Sequence, residues 1–128
     1  MGAYGCFGCV LCLYVCGDCM NDKELLELAA KAAGYIETAS IQDGYGFIAL
    51  RVMDEDGDWT GKDWNPLTDD GDALRLAVKL NMGISIHDQH CMACAQLGVM
   101  QTVKDMPTDE ATRRAIVRAA AEIGKNAA

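Results

Sequence analysis

WNPLTDDGDALRLAVKLNMGI, residues 64–84, is the stretch that decides how this chain is built. Its centre has helical periodicity. Leu74, Ala77 and Val78, with Leu76 and Leu80, recur at spacings of three and four and make one apolar face. Thr68 or Asp69 can cap the start. Asp69, Asp70 and Asp72 put negative charge where a helix dipole is positive. Gly83 follows close after the last apolar position and marks the stop.

Working outward, a second helix precedes it. Asn21 with Glu24 three residues on fits a capping box; Leu25, Leu28, Ala29 and Ala32 give the stripe, and Gly34 suits a C-cap, so the helix covers about 22–33. Residues 35–53 read as extended: Ile36 and then 46–53 are rich in β-branched and aromatic residues, with a turn at Asp43-Gly44. Asp56-Gly57 is a hairpin-type turn signal, and residues 54–72 read as an acidic loop. Beyond the central helix come two short extended runs, 84–87 and 97–103, separated by DQHCMACAQ. Pro107 and Thr108 announce a last helix over about 109–124, with Ala115, Ile116, Ala119, Ala120 and Ile123 as its buried stripe and Gly124 as its end. The order helix, strands, helix, strands, helix predicts an α+β domain, a small sheet covered by three helices.

The chain has 128 residues, 51% hydrophobic and 23% charged, which suits one globular domain with a real core. Its net charge of −8 and pI near 4.5 exclude direct nucleic-acid binding as the expectation. They suit a basic partner, including a protein whose own ligand is nucleic acid. Residues 2–17 carry no charge, but no basic segment precedes them, and they are short of the ~20 apolar residues of a membrane span. Neither export nor stable membrane insertion is therefore expected. In a reducing cytosol, the compartment then expected, the seven cysteines read as thiols or metal ligands before disulfides.

Five of those cysteines lie in CFGCVLCLYVCGDC, residues 6–19. Cys6, Cys9, Cys12 and Cys16 have the C-x₂-C-x₂-C-x₃-C spacing of bacterial ferredoxins, and Cys19 could complete a single site. The ferredoxin pattern needs a second run, which is missing, and Gly17 stands where proline usually follows. Met20 makes a natural start for MNDKELLELAAKAAG, so residues 1–19 read as an appended or translated upstream segment and 20–126 as the domain. HDQHCMAC offers a second candidate set, His87, His90, Cys91 and Cys94, with a knuckle-like gap between the cysteines. The competing reading is a surface loop with half-buried cysteines. A cysteine nucleophile with His87 or His90 as base is a further option. No cofactor is the first expectation; an iron–sulfur cluster or zinc is the alternative.

Asp54, Asp56 and Asp58 alternate as in a calcium loop, but Trp59 and Asn65 occupy the glycine and glutamate positions, so the match fails. Residues 54–72 still hold eight acids against Lys62, interleaved with Trp59 and Trp64. Aromatic anchors amid charge are the pattern of a protein-binding patch, and Asp54, Asp56, Asp58, Trp59, Trp64, Asp69 and Asp70 are the candidate contact residues. The alternative is that both tryptophans pack on the sheet edge. Arg113, Arg114 and Arg118 read as a solvated helix face paired with Asp109, Glu110 and Glu122. No phosphate-binding loop, dinucleotide fingerprint, nucleophile elbow or H-E-x-x-H is present.

Residues 64–84 together with TDEATRRAIVRAAAEIGKN, 108–126, resemble the phage ABA sandwich domain family, and NDKELLELAAKAAG is similar to the start of its members. The resemblance spans about 20–126. It implies a three-layer α/β/α sandwich and a phage or prophage accessory protein, without catalytic residues; it gives Trp64, Pro66 and Asp70 structural uses as anchor, rigid turn and helix start. The combined expectation is a non-enzymatic module that binds a host or phage protein through residues 54–72.

Overall fold

A computed structural model describes residues 21–87, 90–94, 99–104 and 106–126. The three helices are α1 (Asp22–Ala32), α2 (Asp70–Lys79) and α3 (Thr108–Asn126). The capping box of α1 is formed: Glu24 N–H donates to Asn21 Oδ1 at 2.8 Å, and Asn21 N–H donates to Glu24 Oε1 at 3.4 Å. Gly34, just past the C-cap Ala33, takes a φ of +94°, which glycine adopts without strain. Asp69 is the N-cap of α2 and accepts from Asp72 N–H at 2.8 Å.

The strands make two antiparallel sheets of three. One contains β1 (Glu37–Asp43), β2 (Gly46–Met53) and β3 (Trp59–Trp64); the other contains β4 (Gly83–Ile86), β5 (His90–Cys94) and β6 (Met100–Lys104). The fold is α+β, but the single small sheet expected from sequence is divided. Short connections make each sheet a local meander, and α2 lies between β3 and β4. Two segments read as loops are strands. Residues 59–64 of the acidic stretch form β3, and CMAC belongs to β5, the middle strand of its sheet.

The core forms where α3 meets its neighbours. This helix packs on α1, α2 and all three strands of the second sheet, while α1 packs on β1 and β2. Ala111, Ala115, Val117, Ala119 and Ala121 are all buried, so α3 is enclosed on most of its circumference. Its alanines let the neighbouring backbones approach closely. Gly124 shows this at its limit. Expected to end the helix, it is a buried residue inside it, and a Cβ there would lie 2.0 Å from Leu28 O of α1.

The arginine face of α3 is also not simply solvated. Arg113 is 13% exposed, donates from Nε to Leu67 O at 2.8 Å, and pairs with Asp70. Arg114 reaches Asp22 at the start of α1, 3.1 Å away, and Arg118 donates to Thr102 O at 3.5 Å. On α2, the face toward the core is Ala73, Leu76 and Ala77. Leu74 and Val78, expected on that face, are 59% and 66% exposed. At 100° per residue they fall to one side of the buried arc.

Candidate functional site

The two tryptophans of residues 54–72 have different fates. Trp64 pairs with Leu50 across β2–β3, is 7% exposed, and meets the Tyr35 ring edge-on with centroids 5.7 Å apart. Trp59 pairs with Met53 and is 46% exposed. Five residues apart in one strand, the two side chains point to opposite faces. Opposite Val52 the strand carries extra residues around Gly61, whose φ is +77°.

The acids divide in the same way. Asp54 organises the β2–β3 turn: its Oδ1 accepts from the backbone N–H groups of Asp56 and Asp58, both at 3.0 Å, and its own N–H donates to Asp58 O at 2.8 Å. Asp69 caps α2, and Asp70 ties α2 to Arg113 of α3. Asp72 accepts from Asn65 N–H at 3.0 Å and from Arg75 at 2.7 Å. That hydrogen bond, first among the causes, holds the Arg75 guanidinium above its ordinary pKa. Burial raises the Tyr35 phenol, helped by the negative charge of Asp72. Asp56 and Asp58 are exposed beside Trp59. Of the seven candidate contact residues, Asp56, Asp58 and Trp59 therefore form one exposed corner of a hairpin, and Asp54 fixes its backbone.

Cys6, Cys9, Cys12, Cys16 and Cys19 lie outside the described residues. The other candidate ligands sit around β5. Cys91 and Ala93 are buried on the side packed against α3, where the Cys91 thiol lies 3.3 Å from Thr112 Oγ1 and donates to Thr108 O at 3.7 Å. Cys94, three residues on in a strand, is half-buried on the opposite face. His87 and His90 flank the β4–β5 connection. Their rings stack with centroids 4.5 Å apart, and His87 N–H donates to His90 O at 2.9 Å. Among the described residues no three of His, Cys, Asp or Glu gather in a metal-holding group.

Sequence reasoning missed a groove between α2, β4 and the first half of α3. Its volume is about 570 Å³, and Leu74, Ile84, Ile86 and Ile116 supply its apolar lining. The available signal was the width of the α2 stripe, since Ala73, Leu74, Leu76, Ala77, Val78 and Leu80 are more apolar residues than one face can bury.

No family model, curated protein or solved structure matches this chain. No helix among the described residues is long and apolar enough to cross a membrane.

Proposed function

We propose that this chain is a non-enzymatic protein-binding module that acts in the bacterial cytoplasm, with Trp59 as its anchor and Asp56 and Asp58 as its rim. The observation that carries the reading is the exposure of Trp59, 46%, on a turn that Asp54 holds from within. A rigid aromatic side chain costs little entropy to immobilise and contributes a large contact area, which is why tryptophan dominates binding hot spots. The partner we propose is a basic protein surface. The net charge of −8 and the two free carboxylates beside Trp59 complement one, and a nucleic-acid-binding protein of the host is the narrower version. The resemblance of residues 64–84 and 108–126 to the phage ABA sandwich family is the ground on which we propose phage or prophage origin and a layered α/β/α packing.

A photo-reactive phenylalanine at Asp58, with Ser40 of β1 as the control position, tests this in cells. Expected is a cross-linked protein of basic isoelectric point at position 58, absent at position 40 and lost on Trp59→Ala. A product set that is the same with and without Trp59 would sink the reading.

A further inference from the structure

Another depression, of about 290 Å³, lies between the end of α1, the β2–β3 hairpin and α2. Ala33, Val52 and Leu76 give it an apolar, buried lining, and the rings of Tyr35 and Trp64 meet edge to face beside them. A concave, mostly apolar surface with a few polar groups turned to it is the usual make-up of a small-molecule site.

The uncommitted polar groups here are nearly all donors. Trp64 is 7% exposed, yet its indole N–H has no hydrogen-bond partner among the described residues and is not sealed from solvent. A buried tryptophan normally finds an acceptor for that group. The Tyr35 hydroxyl also has no partner among the described residues. Burial, and then the Asp72 charge, raise its pKa, so it stays protonated at neutral pH. Lys79 lies over the Tyr35 ring, 5.6 Å from its centroid, and Lys62 comes from β3. Neither lysine has a carboxylate partner among the described residues. Ammonium and indole N–H groups can only donate.

Charge selects the ligand. Arg75 and Asp72 are bonded to each other at 2.7 Å and cancel. Lys62 and Lys79, set against the remaining carboxylate of the lining, Asp63, leave one positive charge in a chain whose net charge is −8. A cation would meet two ammonium groups. A neutral apolar molecule would leave the donors without acceptors. A multiply charged anion would outweigh the charge that faces it. One carboxylate on an apolar body satisfies the donors and the lining together. The 290 Å³ equals roughly ten waters at ~30 Å³ each, room for an acid the size of benzoate.

We propose that this pocket binds a small apolar monocarboxylate, with its charge held by Lys62, Lys79 and the Tyr35 hydroxyl and its body against Val52, Leu76 and Trp64. The site faces away from Trp59 and stands independently of the protein partner proposed for that corner.

Titrating the full chain with benzoate, benzyl alcohol, benzylammonium and inorganic phosphate tests this, read by the NMR signals of the two tryptophan indole N–H groups. Trp59→Ala assigns the two signals. Benzoate should shift the Trp64 signal saturably, leave that of Trp59 in place, and bind about fivefold or more tighter than each other probe. The double variant Lys62→Met/Lys79→Met should weaken benzoate by about fivefold or more, while Arg51→Met, an exposed cation of β2 outside the pocket, should change it by less than about twofold. All three side chains are exposed, so the fold is kept. No saturable shift of Trp64 with millimolar benzoate would overturn the proposal. A smaller preference over benzyl alcohol or benzylammonium would do so by removing the role of charge, and one over phosphate by removing the role of the apolar lining. Benzoate binding that survives the loss of both lysines would overturn it as well.

Discussion

Gly124→Ala is the substitution for which the structure gives the sharpest expectation. Adding a methyl group to a helix-interior glycine normally stabilises by about 1 kcal/mol, because alanine loses less backbone entropy. Here the new Cβ would lie 2.0 Å from Leu28 O and 2.8 Å from Leu28 C, both backbone atoms of α1 that cannot rotate away. Ordinary contact begins near 3.4 Å, so α1 and α3 must separate by more than an ångström at this end. That opens the contact lined by Leu25, Ala120 and Ala121, all essentially inaccessible to water. Overpacking of this kind costs up to about 3 kcal/mol. Less the gain in helix propensity, a net loss of about 2 kcal/mol remains. With a urea slope of ~1–3 kcal/mol per molar, the unfolding midpoint should fall by roughly 1 M at unchanged slope. Gly71→Ala is the control. Its Cβ would come nearest to side-chain rather than backbone atoms, the Arg75 guanidinium at 3.2 Å and the capping Oδ2 of Asp69 at 3.3 Å, which need give by only a few tenths of an ångström, so the midpoint should shift far less than for Gly124→Ala. A Gly124→Ala protein as stable as the parent would refute the close helix contact and with it the packing of α1 on α3.

Three further expectations concern the surroundings of the proposed site. Trp64→Ala should cost about 3–5 kcal/mol in urea unfolding, as for other buried aromatic truncations, while Trp59→Ala should change stability by less than ~0.5 kcal/mol. Arg113→Met leaves Leu67 O without its buried donor and should cost about 1–3 kcal/mol. Asp70→Asn removes a carboxylate that is largely in water and should cost less than ~1 kcal/mol. Because the Tyr35 phenol titrates above its ordinary value when folded, its contribution to stability is complete below pH ~10. It is lost as pH rises from there through the folded value, so the urea midpoint should fall in that range less steeply for Tyr35→Phe than for the parent.

Local chemistry made much of the fold legible in the sequence. Asn21 with Glu24 gave the start of α1, Asp69 the start of α2, and Asp43-Gly44 the β1–β2 turn. What failed depended on partners distant in sequence. HCMAC lacks β-branched residues and carries a knuckle spacing, so it read as a connection; pairing on both sides, to β4 and β6, makes it a strand. Gly124 looked like a stop signal, and only the approach of Leu28 explains it as a close contact. Trp59 and Trp64 looked equivalent in an acidic loop. Once 59–64 is a strand, their odd spacing forces one inward and one outward, a signal that was present but needed the strand to be seen first. The groove was hidden for a related reason: Leu74 and Val78 fit a core stripe by period, yet α3 and β4 cover only the neighbouring part of the arc.

The most direct measurement is the equilibrium affinity of the cross-linked partner, purified, for the parent protein and for Trp59→Ala, at low and high salt. If Trp59 is the anchor, its loss should weaken binding by about 2 kcal/mol, roughly thirtyfold, and added salt should weaken the parent through screening of Asp56 and Asp58. Affinities that agree within about twofold, with no salt dependence, would contradict protein recognition through this corner.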